Sequence, residues 1–192
     1  MHSRRDTLYL LKNCDLMIIN FEDLPDVRKE HAQERIGFAG GCFDLVHEGH
    51  IYGMERCKEL IGPLGILVVG VSSDERVRQR KGPGRPFREQ AGRIAVVNAL
   101  KPVDYTFIMP MPEEGGDTPT IQVIKKLRPD VFADHEENRE RWMPVIPLLN
   151  SLGTELVFND AMRYDSTTDI ARRVVAQIGS DPTAEQPIGS TQ

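Results

Sequence analysis

The sequence predicts an α/β fold: a doubly wound, five-stranded parallel sheet with helices on both faces. Two observations carry it. Short apolar, β-branched runs alternate with longer amphipathic or charged segments along most of the 192 residues, the pattern of strands joined by helical crossovers. Ile66-Leu67-Val68-Val69-Gly70-Val71 is continuously apolar, as a strand covered on both faces must be.

In chain order, residues 1–21 read as an N-terminal extension of mixed character and 22–178 as the domain proper. A charged helix is expected from Glu22 to Arg35, and a strand over Ile36-Gly37-Phe38-Ala39-Gly40. The next helix runs from His50 to Leu60, with Ile51, Met54 and Leu60 at helical spacing, and Gly62-Pro63 ends it. The strand at 66–71 follows. Residues 76–88 read as a basic loop shaped by Gly82-Pro83-Gly84, followed by a helix from Glu89 to Leu100 and a strand at Tyr105–Ile108. After a Pro- and Gly-rich loop at 110–117, Thr118 or Thr120 caps a helix to Leu127. A strand at Val131–Ala133 leads to a helix over Arg139–Leu152 that Pro144 and Pro147 disturb. The last strand is Leu156–Phe158, and Ser166 opens a final helix to Ile178. The 179–192 tail, rich in Gly, Pro, Ser and Thr, is expected to be disordered.

Composition narrows the function. With 24 Lys and Arg against 29 Asp and Glu, the net charge of −5 argues against a general nucleic-acid binder. No stretch is apolar enough for a bilayer span, and Lys12, Asn13 and Asp15 interrupt the short apolar run at 8–11, so no signal peptide is read there. The cysteines, Cys14, Cys42 and Cys57, are odd in number and include no C-x-x-C pair, which fits reduced thiols in a cytoplasmic protein.

In a parallel sheet, ligands gather beyond the carboxyl ends of the strands, so chemistry belongs in the loop after each strand. The loop after the first strand reads Gly40-Gly41-Cys42-Phe43-Asp44-Leu45-Val46-His47-Glu48-Gly49-His50. Two imidazoles three residues apart at a helix N-terminus form a phosphate site with movable protons. Gly40 and Gly41 allow close backbone approach, and Gly49 removes a side chain. A metal site is the ordinary alternative for such a pair, but a third ligand at suitable spacing is absent. Residues 76–93 hold seven cations and one acid, Glu89; the alternative to polyphosphate capture is a solvated basic face. Ser166-Thr167-Thr168-Asp169-Ile170 caps the final helix, and the same groups can bind phosphate.

The first loop resembles the G-x-F-D-x-x-H-x-G-H signature of the cytidylyltransferase-like nucleotidyltransferases, a superfamily of the HIGH type with a Rossmann-like sheet. Lys81-Gly82 with Gly84-Arg85-Pro86, and the S-T-T-x-I segment at 166–170, resemble further motifs of its heptose-1-phosphate adenylyltransferase branch. The resemblance covers residues 22–178. It implies transfer of a nucleoside monophosphate from a nucleoside triphosphate, ATP before CTP and accompanied by Mg²⁺, to a sugar phosphate. It implies catalytic roles for His47, His50 and Lys81. It implies nucleotide binding by Gly41, Cys42, Phe43, Gly49, Arg93, Ser166, Thr167 and Thr168, and substrate contacts from Asp44, Asp134 and His135. A homodimer is suggested by family analogy alone.

One segment departs from the branch. Lys-Gly-Gly-Asp-Tyr after the fourth strand is replaced by Asp134-His135-Glu136-Glu137-Asn138. An acidic cluster there would repel a phosphate and welcome an amine, which keeps open a cytidylyltransferase acting on a small alcohol phosphate. In that group an arginine stands five residues before the S-T-T serine; here Arg163 stands three before it. A third alternative is a nucleotide-binding module without catalysis.

Overall fold

The computed structural model describes residues 18–159 and 166–180. Five strands, β1 Ile36–Gly41, β2 Ile66–Ser72, β3 Tyr105–Met109, β4 Val131–His135 and β5 Glu155–Asn159, form one parallel sheet in the order β3-β2-β1-β4-β5. The chain therefore walks outward from β1 to β3, returns to β1's other side, and walks outward again. The direction reverses at the carboxyl end of β1, where a crevice opens between β1 and β4.

Eight α-helices flank the sheet in the described residues: α1 Leu24–Glu30, α2 Glu48–Ile61, α3 Asp74–Lys81, α4 Gln90–Asn98, α5 Pro119–Leu127, α6 Arg139–Trp142, α7 Ile146–Ser151 and α8 Thr167–Ser180. Strand alternation sorts the core into two layers. Phe38, Val68, Phe107 and Phe132 face α1, α5, α6 and α7, where they meet Leu24, Ile124, Trp142 and Leu149. Leu67, Val69, Val131 and Ala133 face α2 and α4, against Met54, Cys57 and Val97. The aromatic layer is continuous: the Phe38 ring lies 5.5 Å from Phe132, which meets Trp142 edge-on at 5.0 Å. Cys57 is fully buried in the other layer, and burial pushes its thiol up to about 12.

Several elements depart from the sequence expectation for local reasons. Residues 74–81, read as part of a basic loop, form helix α3. Ser73 caps it by accepting from the Arg76 N–H, acids fill its first turn and bases its last, and Gly82 at φ +94° ends it. The helix expected over 139–152 is cut into α6, a 3-10 turn at Met143–Val145 and α7, with a proline in the first turn of each of the last two. The first helix is shorter than expected, a 3-10 turn at Phe21–Asp23 and then α1. At the end of the expected extension, Ile18 bridges Thr106 beside β3 and Phe21 stacks near Phe107. Thr118 is the cap of α5, and α8 extends to Ser180. Of the expected tail, 181–192 lies outside the described residues, as does Arg163.

Candidate active site

The carboxyl end of β1 leads into the imidazole loop. Phe43 takes a left-handed backbone (φ +48°) and turns its ring back under the loop. Gly41 makes room for it, since a Cβ there would stand 3.0 Å from the Phe43 ring. The glycine thus has an internal reason as well as the expected one, ligand approach. The buried Phe43 ring supports His50 at 5.0 Å, and the His47 and His50 ring centroids lie 3.8 Å apart with their planes tilted by 38°. His47 is the N-cap of α2, and its backbone N–H donates to His50 Nδ1 at 3.3 Å.

That contact has an electronic consequence. Burial first, then the neighbouring His47 and His135, push the His50 imidazole down to about 3. The ring is neutral at physiological pH, and with Nδ1 accepting, its proton sits on Nε2. His50 is therefore a neutral N–H donor at the mouth of α2, beside the helix's free amides.

A small crevice opens beside it. Gly49, His50 and Gly53 of α2 line one side, Asp134 and His135 at the end of β4 another, and Asn159 at the end of β5 the back. Asn159 is buried, and its Oδ1 has no hydrogen-bond partner. Such an acceptor costs free energy until a donor meets it. Sequence reasoning missed Asn159 and Gly53; an unremarkable Asn ending a short strand carries no local signal. The second helix N-terminus arrives from α8: the Thr167 hydroxyl donates to the Leu45 carbonyl at 3.2 Å, docking the Ser166–Thr168 segment on the imidazole loop. Ser166 itself is occupied as a cap, exchanging hydrogen bonds with Asp169, while Thr168 is exposed. The Ser166 hydroxyl is the first reason the Asp169 carboxyl lies below its usual range.

Three residues expected on ligands are held by contacts within the protein. Arg93, expected on a phosphate, is 1% exposed and braces three loops. Its Nε donates to Arg88 O, one terminal nitrogen to Cys42 O, and the other to Ser72 O and Asp74 Oδ1. Burial would raise the Asp74 carboxyl, but the Arg93 hydrogen bond and charge outweigh it and hold it low. Asp44, expected on the substrate, is 2% exposed; it accepts from the Phe87 and Arg88 N–H groups at 2.8 and 3.2 Å and pairs with Arg85. Asp134 accepts from its neighbour's His135 N–H, from Asn138 Nδ2 at 2.9 Å and from Trp142 Nε1, which shapes the turn after β4. Its carboxylate is satisfied internally, although it lines the crevice. Lys81 ends α3 with its side chain exposed, and no described contact joins it to the histidines. The half-buried Cys42 contributes its carbonyl to Arg93.

Two imidazoles on a helix mouth at the reversal point of a parallel sheet, faced by a second helix mouth rich in hydroxyls, define a nucleotidyltransferase. The family model for cytidylyltransferase-like proteins matches residues 38–152, and the chain belongs to that family. The bifunctional protein HldE of Paramagnetospirillum magneticum is 34% identical over 141 residues, 73% of this chain and 27% of that protein. HldE of Campylobacter concisus is 31% identical over 162 residues, 84% of this chain and 32% of that one. The chain thus spans less than a third of the length of these relatives. A solved lipopolysaccharide core biosynthesis protein from Thermoplasma volcanium superposes with a TM-score of 0.52 at 26% identity, covering 69% of this chain and 99% of that one. Pantoate-beta-alanine ligase from Francisella tularensis shares the fold at a TM-score of 0.57 and 15% identity, over 92% of this chain and 82% of that one.

Among the described residues, no helix is long and apolar enough to cross a membrane, and no group of three or more His, Cys, Asp or Glu side chains could hold a metal ion.

Proposed function

We propose that the chain transfers the adenylyl group of ATP to a phosphate oxygen of a sugar 1-phosphate. The acceptor oxygen forms a bond to the α-phosphorus, the bond from that phosphorus to the α,β-bridging oxygen breaks, and pyrophosphate departs. A phosphate dianion is already nucleophilic, so the protein's task is positioning and charge stabilisation. The observation that carries the reading is the neutral His50 donor set against the His47 ring at the mouth of α2.

In this reading His47 and His50 are the catalytic donors to the α- and β-phosphates. The α8 terminus, through the Thr167 and Thr168 groups, receives the distal phosphates. Lys81 reaches the triphosphate from the end of α3. Gly49 and the backbone of residues 41–43 bound the nucleotide, and His135 faces the crevice. Mg²⁺, which prefers oxygen ligands, would accompany the triphosphate and offset part of its charge, and the imidazoles here would not compete for it. Arg93, Asp44 and Asp134 act through the loops they hold.

The acidic departure after β4 gives little support to an amine-bearing acceptor. Asp134 is occupied by three neutral donors and Glu136 pairs with the Arg139 cation, so both carboxylates are already engaged within the turn. The test is pyrophosphate release with ATP and, separately, CTP, against a panel of sugar 1-phosphates and small alcohol phosphates. The expected result is ATP-dependent release with a sugar 1-phosphate. Release only with CTP and an alcohol phosphate would reassign the substrates, and no release with any pair would overturn the reading.

A further inference from the structure

Asn159 is placed unusually for a polar residue. The other residues of β5 are exposed or half-buried, and only this last one, 8% exposed, is buried. It pairs in register with His135 of β4, and both line the crevice opposite Gly49, His50 and Gly53 of α2. Ala39 and Ala133, partners across β1 and β4, keep the floor of that crevice low. The carboxamide rests against α2: a Cβ on Gly53 would stand 3.1 Å from its Nδ2. Its Oδ1 is sealed from solvent and, among the described residues, meets no donor. Asp134 beside it offers only carboxylate oxygens, and those already accept from the turn after β4.

An apolar side chain in this place would cost less than a carboxamide with an unmet oxygen. Packing therefore does not account for Asn159; a donor brought by a ligand does. Distance and space select the donor. Gly53 lies three residues beyond His50 on α2, about 4.5 Å of helix rise. From a phosphate held at the mouth of α2, that step reaches the adjoining sugar and falls short of the base. The free space, about 30 Å³, admits a hydroxyl group and excludes a purine. A hydroxyl is also a group that can donate to an oxygen acceptor.

We propose that Asn159 makes the chain selective for ribonucleotides over deoxyribonucleotides, its carboxamide oxygen accepting from a sugar hydroxyl at the back of the crevice. This rests on the nucleotidyl-transfer reading above and adds a specificity that the imidazoles, which meet only phosphate, do not supply. The terminal torsion of an asparagine is soft, so the amide turns to the hydroxyl at small cost. A sugar lacking that hydroxyl leaves the buried acceptor unmet, and such a site rejects the analogue by that deficit.

The test titrates ATP, 2′-deoxy-ATP and 3′-deoxy-ATP, each with Mg²⁺ and without an acceptor, calorimetrically into the full chain. The native chain binds at least one deoxy analogue about tenfold or more weakly than ATP. Asn159→Leu, which removes the acceptor at similar volume, binds ATP and that analogue within about twofold of each other. Asn159→Ala does the same without the branched bulk, and Asn159→Asp, which keeps an oxygen there, keeps the preference. Without nucleotide, the thermal midpoint of Asn159→Leu holds or rises, because an unmet acceptor has been removed; loss of a purely structural carboxamide would lower it. The proposal is overturned if the native chain binds all three nucleotides alike, if the preference survives in the Leu and Ala variants, or if it disappears only where the midpoint also falls. A native chain that binds none of the three would overturn the nucleotidyl-transfer reading itself, whereas equal binding of all three removes only the role of Asn159.

Discussion

The loops after β1 and β2 and those after β4 and β5 border the same crevice but are built differently. On the first side, buried ions brace the backbone. Arg93 joins the Cys42 and Ser72 carbonyls to Asp74, and Asp44 gathers Arg85 and the 87–88 amides. On the second side the chain turns through short helices broken by prolines, and Asn159 leaves a buried oxygen unmet. The difference teaches a division of labour. One wall is fixed before any ligand arrives, whereas the other keeps polar capacity that a ligand can complete.

Arg93→Met breaks this contrast most directly. It leaves Asp74 and the Arg88, Cys42 and Ser72 carbonyls without their donor, and is expected to destabilise the fold by about 3–5 kcal/mol, read from urea midpoints. Next comes His50→Ala. The fold should persist while pyrophosphate release slows by about 10²–10³, the usual loss for one such donor; near-native turnover would remove His50 from the chemistry. A smaller effect is expected in the pH dependence of stability. The folded His50 imidazole sits near 3 while an unfolded one sits at 6.5, so below pH 6.5 the unfolded chain takes up a proton that the folded chain refuses. The contribution is fully present above pH 6.5 and is lost as pH falls towards 3. Urea midpoints should fall more steeply between pH 7.5 and 5 in the native chain than in His50→Gln. The smallest effect belongs away from both walls. Breaking the exposed Arg56–Glu59 pair with Glu59→Gln should change stability by about 0.5 kcal/mol or less.

What the sequence disclosed follows from the range of the interactions. The strands, the helix after the imidazole loop and the α8 cap are local patterns, and each occurs within a residue or two of expectation. Helix α3 escaped because only Val77 of its eight residues is buried, so it has no apolar period to read. Ser73, the two acids and Gly82 were the available signals. The roles of Arg93 and Asp44 escaped for another reason. Arg93 meets Cys42 across 51 positions, and Asp44 meets Phe87 across 43. A motif reports that a residue type is required at a position, and a buried brace satisfies that requirement as well as a ligand contact does. Asn159 became visible only once β5 was laid beside β4.

Cys57 offers a practical consequence. Its sulfur is sealed beneath α2, 2.7 Å from where a Cβ on Gly37 would stand, and it holds its proton up to about 12, so alkylating reagents have neither access nor a thiolate to attack. In a Cys14→Ser background, the half-buried Cys42 is the remaining thiol at which labelling of the native fold can be read. Its rate of labelling then gives a clock, placed between the two walls, that slows whenever a molecule settles above it.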